Sequence, residues 1–526
     1  MVTKRSNAAA YGAIMQPYSR PPPVWWRVSR WVLAPIMLLV LVIYGFTYAL
    51  TTPYLIIEYA IPVLILAVLS IWALPDLPVA PTRAMSWLYY AFMIALIAWP
   101  NYVAIALPGL PWITLIRLTS FPLSLALVIC ASSSAGFRHG MGDALKSAPL
   151  VYQALLIFIV LQLVSIAFST SIGESLSKLL VAHTTWTAVF FVSVYLFARP
   201  GEVQKFSVAL WILALFVGAI AIPEARYERV LWAGHIPSFL KIQDETVNRI
   251  LSGAYRFGLY RAQSTFSTPL GLAEFMALVV PFVMHFAAGS YKTWVRMAAG
   301  LSIAFILYVV LLTDARLGLI GFILGVLIYL AGWSVLRWQR DQTSMLAPAI
   351  VFSYPILFTL AVASTFLVGR IHEKIWGSGQ YDYSNEGRTA QVQAGLPMIV
   401  THPLGHGIGM GADALGYSNN AGTVTIDSYY LLIGLEYGFL GFIFYYAMFG
   451  AAIYYAVRYT LITNTKLKDK EYEFLFPLGI SLINFVVIKS IFSNDDNHPL
   501  AFALMGAVVG LVYRSRKAMA APATAG

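Results

Sequence analysis

Apolar stretches of about twenty residues recur from one end of the chain to the other, and they constrain the fold more than any other feature. A helix of that length crosses the roughly 30 Å hydrocarbon core of a bilayer. Charged residues make up only 11% of the chain, and the mean hydropathy is +0.74. An ordinary soluble domain is roughly a quarter charged. The sequence therefore predicts an all-α polytopic membrane protein.

We predict about fourteen membrane-spanning helices and two long connections. The spans lie near 31–50, 54–74, 84–101, 112–131, 149–169, 175–198, 203–222, 267–289, 297–313, 317–335, 347–368, 428–457, 472–491 and 499–513. The chain then divides into a tail (1–30), seven spans (31–222), a loop (223–266), four spans (267–368), a larger loop (369–427), three spans (428–513) and a tail (514–526). We expect the span that starts at 428 to break at Gly438 or Gly441. Loops of this length are usually functional.

The placement of lysine and arginine orients the chain. Basic residues cluster in every second short connection, and such clusters mark the cytoplasmic side. They are Arg83, Arg138, Lys146, Arg199, Lys205, Lys292, Arg296, Arg337, Arg340, Lys466, Lys468, Lys470, Arg514, Arg516 and Lys517. This pattern accounts for the net charge of +11 without a nucleic-acid partner. Both termini are expected in the cytoplasm, both long loops on the outward side, and the first span is expected to be retained because no signal-cleavage pattern precedes it.

The number of cysteines limits which disulfides and metal sites the chain can form. The single cysteine, Cys130, excludes an intramolecular disulfide. No group of cysteines and histidines has the spacing of a metal site. We therefore expect neither a metal nor another cofactor.

Arginines in the outward loops are the strongest indication of a binding site, because topology alone disfavours them there. They are Arg226, Arg229, Arg249, Arg256, Arg261, Arg370 and Arg388. A guanidinium binds phosphate oxygens through paired hydrogen bonds and keeps its proton. Arg316 lies in a very short outward turn and is held at the bilayer surface. The alternatives for Arg316 are snorkelling to lipid head groups or pairing with Asp314.

Arg117 lies inside a predicted span, below its outward end. An unpaired charge is costly at that depth, so its side chain must face protein or water. Either it binds a ligand, or it pairs with Glu58 or Glu274, which both lie near outward helix ends.

The segment 385–441 has the densest pattern of polar residues and glycines. Between Arg388 and Val400 the spacing predicts a short amphipathic helix on the membrane surface. Closely spaced glycines follow at Gly405, Gly407, Gly409 and Gly411. They either let backbone N–H groups approach a phosphate or sugar, or only reverse the loop.

Asp427 directly precedes an apolar run. One interpretation is an N-cap, in which the carboxylate accepts hydrogen bonds from the free amides of the helix start. The other is a carboxylate at the mouth of an outward cleft that accepts a proton from a hydroxyl. His402 and His406 are alternative bases, although His402 precedes Pro403 and could simply shape the turn.

Four stretches within residues 256–441 resemble the O-antigen ligase and Wzy-type polysaccharide polymerase superfamily of bacterial envelope glycan assembly. They are RAQSTFSTPLGLAEFMA with Arg261, TDARLGLIGFILG with Arg316, GRTAQVQAGLPMIVTHPLGHGIG with Arg388, and IDSYYLLIGLEYGFLG with Asp427. The resemblance implies a GT-C-like, metal-independent glycosyltransferase of the inner membrane with a periplasmic active site. In this family the arginines are thought to hold the diphosphate of an undecaprenyl-linked glycan while an acceptor hydroxyl attacks the anomeric carbon.

The resemblance leaves more than one activity open. Ligases of the family usually carry histidine before the tyrosine–leucine pair, whereas Asp427 is more like exopolysaccharide polymerases. We therefore expect a polymerase whose donor and acceptor are both lipid-linked, with chain-length regulator and flippase proteins as further partners in the bilayer. The first alternative is a ligase that transfers the glycan to lipid A core or protein. The second is a lipid-linked oligosaccharide flippase, although charges near the bilayer midplane and repeated halves, typical of transporters, are not evident in the sequence.

Overall fold

The computed structural model describes residues 79–106, 112–242, 244–256, 258–343, 345–367, 369, 372, 382–418, 424–467 and 469–520. The predicted spans 31–50 and 54–74 lie outside these residues. Contacts divide the chain into Met1–Leu77 and Pro78–Gly526, and everything described here belongs to the second unit.

Helices account for most of the described chain. They are α1 (Thr82–Ala98), α2 (Leu115–Ser133), α3 (Ala135–Lys146), α4 (Pro149–Ile166), α5 (Ile172–Ala182), α6 (Ala188–Phe197), α7 (Glu202–Tyr227), α8 (Glu245–Leu251), α9 (Pro269–Ala288), α10 (Thr293–Leu312), α11 (Arg316–Arg340), α12 (Leu346–Leu367), α13 (Asp382–Thr401), α14 (Gly411–Leu415), α15 (Tyr429–Lys466), α16 (Leu475–Lys489) and α17 (His498–Ala520). A π-helical turn (His183–Thr187) joins α5 to α6, and 3-10 turns form at Ser238–Leu240 and Lys470–Phe474.

Two short antiparallel hairpins complete the secondary structure. In the first, β1 (Ala104–Ile105) pairs with β2 (Ile113–Thr114). In the second, β3 (Ala254–Arg256) pairs with β4 (Leu259–Arg261).

The predicted all-α polytopic membrane architecture is confirmed. Eleven helical segments of the described chain are long and apolar enough to cross a membrane, and α1 is slightly shorter. A helix covers each predicted span that falls within the described residues. The predicted break in the span that starts at 428 occurs at Gly438, where φ is 70° and ψ is −174°.

Burial differs sharply between the helices. Nearly every side chain of α9 and α17 is buried, whereas α12 exposes most of its apolar surface. Phe352 and Leu360 of α12, for example, are 72% and 60% exposed. Because lipid solvates apolar side chains as well as a protein interior does, an exposed apolar helix is expected at the rim of a membrane bundle. The core of the bundle is therefore formed around α9 and α17.

Glycines let α11 pack closely against α9. A Cβ at Gly318 would lie 2.3 Å from the Cβ of Ala273, and one at Gly321 would lie 3.1 Å from the Cβ of Ala277. Small residues at such spacing are typical of membrane helix interfaces. The glycines after Arg316 thus fix the start of α11 against α9.

Hydrogen bonds join several connections at one end of the bundle, which we call the loop end. Thr265 Oγ1 donates to the Ile97 carbonyl oxygen at 2.6 Å. Ser267 Oγ donates to Asp496 Oδ2 at 2.6 Å. The described residues of the connections between α1 and α2, α7 and α9, α10 and α11, α14 and α15, and α16 and α17 lie at this end, because the helices that they join alternate in direction. The loop end corresponds to the side that the sequence orientation predicts to face outward.

Candidate active site

The β3–β4 hairpin attaches Arg261 to the turn that precedes Arg316. Arg261 Nε donates to the Thr313 carbonyl oxygen at 2.9 Å, and the Ala262 amide donates to the Leu312 carbonyl oxygen at 3.1 Å. Arg316 is the first residue of α11. It lines a cavity of about 50 Å³ together with Asp314 and apolar side chains of α10 and α11. Arg261 is therefore held against the turn that precedes Arg316, although the two arginines were predicted separately from sequence.

A buried carboxylate fixes the segment that follows the hairpin. Glu224, in the last turn of α7, is fully buried. It accepts hydrogen bonds from the Tyr260 hydroxyl (2.8 Å), the Gln263 amide (3.1 Å) and the Ser264 amide (2.6 Å). Because such a carboxylate must have its acceptors satisfied to be buried, the hairpin is tied firmly to the bundle. The polar residues after Arg261 thus position the hairpin.

Arg388 and Asp427 form a second pair at the loop end. Arg388 Nε lies 3.7 Å from Asp427 Oδ2, and the side chains are 32% and 39% exposed. Arg388 Nε is itself buried and has no hydrogen-bond partner among the described residues. Burial lowers the pKa of Arg388; Asp427 opposes this effect, and repulsion from Arg256 adds to it.

The hairpin connects these two groups of residues. Arg256 is paired with Leu259, and Arg261 with Ala254. Since side chains alternate between the faces of a strand, Arg256 and Arg261 lie on the same face as diagonal neighbours, roughly 7 to 8 Å apart. The charge of Arg256 lowers the pKa of Arg388, while Arg261 contacts the turn that precedes Arg316. The hairpin thus presents two arginines on one face, and Arg261 is held at the turn that precedes Arg316.

Asp427 is positioned by its neighbours and does not cap α15. Ser428 is the N-cap: its Oγ accepts from the Leu431 amide at 3.4 Å and donates to the Ser490 carbonyl oxygen at 2.7 Å. The Asp427 amide donates to Gln391 Oε1 at 2.9 Å. The N-cap interpretation of Asp427 is therefore wrong, because the hydroxyl one residue later takes that role. The Asp427 carboxylate faces Arg388 instead.

The predicted bases His402 and His406 lie together near the break in α15. Their ring centroids are 4.4 Å apart. His406 Nδ1 lies 3.0 Å from the Leu435 carbonyl oxygen. Because a carbonyl oxygen can only accept a hydrogen bond, Nδ1 carries the proton, and Nε2 of the neutral ring is unprotonated. Leu435 lies eight residues beyond Asp427, or about 12 Å along a helix. The histidine pair and Asp427 are thus two separate candidate bases.

The loop that contains the closely spaced glycines packs against the break in α15. At Gly438 the helical pattern is interrupted, and the carbonyl oxygens before it accept from the loop: the His406 amide donates to Leu435 (2.8 Å) and the Gly407 amide to Glu436 (3.1 Å). A Cβ at Gly405 would lie 2.2 Å from the Glu436 carbonyl oxygen. The need for glycine at Gly405 is therefore explained by packing against α15, and the His406 and Gly407 amides donate to α15 carbonyl oxygens.

Arg117 lies on another part of the loop end, in the first turn of α2. Its Nη1 donates to the Trp112 carbonyl oxygen at 2.8 Å. The proposed pairing with Glu274 is wrong, because Glu274 lies 3.0 Å from Lys489 Nζ and both side chains are fully buried. Glu58 lies outside the described residues.

Sequence reasoning missed several residues of this region. Lys489 was hidden inside a predicted apolar span, and its partner Glu274 was assigned to the wrong arginine. The motif SNDDNHP, residues 493–499, received no role. In the structure Ser493 Oγ donates to the Ile426 carbonyl oxygen, beside Asp427. A dense run of polar residues between two apolar spans was the signal that could have identified this loop.

The fold defines the class, a polytopic α-helical membrane protein, and several arginines lie at one end of its bundle. Residues 301–446 match the family model described as O-antigen ligase (Wzy_C). The match supports the predicted resemblance to the O-antigen ligase and Wzy-type polymerase superfamily. The match includes Arg316, Arg388 and Asp427, while Arg261 lies before it. No curated protein matches the chain.

Members of the matching family are ligases and polymerases. The match therefore supports a general function in glycan ligation or polymerisation at a membrane.

Proposed function

We propose that the protein polymerises undecaprenyl-diphosphate-linked repeat units into exopolysaccharide or O-antigen on the periplasmic face of the bacterial inner membrane. The β3–β4 hairpin carries this proposal, because Arg261 contacts the turn that precedes Arg316 and the charge of Arg256 acts on Arg388. A transferred glycan leaves behind a diphosphate, and charge develops on that group in the transition state. Guanidinium groups held in place can stabilise this charge without a metal ion.

The chemical step has a defined role for each group. A hydroxyl oxygen of the acceptor attacks the anomeric carbon of the donor glycan and forms the new glycosidic bond. The bond from that carbon to the diphosphate oxygen breaks, and the diphosphate keeps the electron pair. Arg261, Arg316 and Arg388 bind the diphosphate, with Arg256 as a fourth candidate. Asp427 accepts the hydroxyl proton, with His406 as the alternative base through its free Nε2.

The contact between Arg388 and Asp427 is compatible with diphosphate binding by the arginine and proton acceptance by the aspartate. At 3.7 Å the two groups attract each other but are not joined by a hydrogen bond. The Nε–H group of Arg388 can thus donate a hydrogen bond to a phosphate oxygen. The backbone amide of Asp427 is held by Gln391 and the next residue by the Ser428 cap, so the position of this residue in the chain does not depend on the arginine.

A ligase is the second candidate, and the match to the family described as O-antigen ligase favours it. It would use the same donor and diphosphate site, but transfer the finished glycan to lipid A core or protein. The donor chemistry is common to both candidates, so only the acceptor separates them.

Reconstitution tests the proposal. The purified protein in liposomes would be incubated with a synthetic undecaprenyl diphosphate repeat unit, and the products would be resolved by size. A ladder of lipid-linked oligomers is expected without other proteins. Consumption of donor only when lipid A core is added would instead establish the ligase.

A further inference from the structure

A second cavity lies at the end of the bundle opposite the loop end, where α9, α11 and α15 finish and α16 begins. Its volume is about 200 Å³, and its lining mixes charged, polar and aromatic side chains. Tyr329, Trp333, Arg337 and Arg340 of α11 line one side, at the spacing of a single helix face. Because the candidate active site lies at the loop end, this cavity is a separate feature of the molecule.

Two buried polar groups face the interior of this cavity. His285 of α9 and Thr460 of α15 both line it, and they are only 5% and 6% exposed. Within the described part of the chain, His285 Nε2 and Thr460 Oγ1 have no hydrogen-bond partner. Since buried polar groups are almost always hydrogen-bonded, these two positions indicate a ligand that supplies the missing partners.

Charges of both signs line the same cavity. Its two carboxylates already contact arginines: Glu473 lies 2.8 Å from Arg340, and Asp469 lies 2.6 Å from Arg514. Arg337 is exposed, and among the residues that the structure describes no carboxylate lies within ion-pair distance of it. A purely anionic ligand would meet two carboxylates here. A zwitterion matches both signs, because a phosphate binds the arginine and an ammonium group binds the carboxylates.

The cavity opens near the level of the membrane surface. The Arg337 guanidinium lies over the ring of Trp333, 5.3 Å from its centroid, and indole rings prefer the membrane–water interface. Val335 and Trp338, on neighbouring positions of α11, are exposed, as expected for side chains in contact with lipid. A lipid head group can therefore reach the cavity directly from the bilayer.

We propose that this cavity binds the head group of an aminophospholipid of the phosphatidylethanolamine type. The phosphate contacts Arg337, and the primary ammonium group contacts Glu473 and Asp469. The ester carbonyl oxygens, which lie next to the phosphate in such a lipid, accept hydrogen bonds from Thr460 Oγ1 and His285 Nε2. Basic pockets between membrane helices bind lipid head groups, and the carboxylates here add selectivity for an amine. The site lies far from the candidate active site and does not depend on the proposed polymerase function.

Native mass spectrometry of the full chain tests the choice of head group. Delipidated protein in detergent would be titrated with phosphatidylethanolamine, phosphatidylglycerol and phosphatidylcholine that carry the same acyl chains. The ethanolamine lipid is expected to bind about tenfold more tightly than the other two. The glycerol lipid has no ammonium group, and the choline lipid has no N–H group to donate. Equal affinity for the three lipids, or the absence of a one-to-one complex, would overturn the proposal.

Substitutions locate the bound lipid. Thr460→Val keeps the size of the side chain and removes one hydroxyl, so it should lower the affinity for the ethanolamine lipid about fivefold without loss of stability. Arg337→Gln should lower that affinity about tenfold. Arg83→Gln is the matched control, because Arg83 is exposed at the same end of the bundle and does not line the cavity. Equal losses in Arg337→Gln and Arg83→Gln, or undiminished binding in both cavity variants, would reject the site.

Discussion

Replacing Arg388 by alanine separates a structural from a catalytic role for its pair with Asp427. With an effective dielectric of about 20, the bare attraction at 3.7 Å would be roughly 4.5 kcal/mol. Both side chains are about one third exposed, and solvent screening and side-chain entropy reduce such pairs to about 0 to 1 kcal/mol. The fold should therefore lose at most about 1 kcal/mol of stability.

The effect of the same substitution on transfer should be far larger. Losing one preorganised donor to a developing negative charge typically costs about 10²- to 10³-fold in rate. We expect Arg388→Ala to lower the initial rate of product-ladder formation by this factor, at unchanged yield of folded protein. The assay measures glycan transfer by the reconstituted protein with a synthetic lipid-linked repeat unit. The rate is normalised to the amount of monodisperse protein.

Arg249→Ala provides a matched control. Arg249 lies 3.7 Å from Glu245, the same separation, but on α8 and outside the candidate site. This variant should keep normal activity and stability. A rate for Arg388→Ala within about threefold of the parent, or a loss of activity that merely follows a loss of folded protein, would refute the reasoning.

Three further outcomes are expected. Asp427→Asn should abolish transfer while leaving binding of the lipid carrier and the fold intact, because Ser428 caps α15; undiminished transfer would exclude Asp427 as the base. Glu274→Gln should destabilise the protein by about 3 to 5 kcal/mol, since it leaves the charge of Lys489 buried without its partner, and a second change, Lys489→Met, should recover much of that loss; a single variant that unfolds at the parent's midpoint in detergent would contradict the buried pair. Chelators should leave transfer unchanged, and a strict requirement for a divalent ion would contradict a site in which arginines replace the metal.

The helical architecture could be predicted from sequence because each membrane span is a local feature. Length and hydropathy decide whether a segment crosses the bilayer, and no distant contact is needed. The break at Gly438 was equally local, since glycine in a long apolar run is a weak point of a helix. Burial within the bundle was not predictable, because lipid-facing and core-facing spans have similar composition, as α12 and α9 show.

The candidate site was only partly predictable, because its pairings join distant positions. Arg261, Arg316 and Arg388 could be singled out as outward arginines, but the role of Arg256 depends on the register of a hairpin. The choice of Ser428 as N-cap depends on the Ser490 carbonyl, which lies 62 residues away in the chain. The pairing of Glu274 with Lys489 spans 215 residues. Such contacts follow from packing and cannot be recognised in the local sequence.

A cryo-electron microscopy map of the protein with bound undecaprenyl diphosphate in nanodiscs would test the central claim most directly. We predict density for the diphosphate in contact with the guanidinium groups of Arg261, Arg316 and Arg388, beside Asp427. A diphosphate bound elsewhere, or contacts with only one of these arginines, would contradict the account.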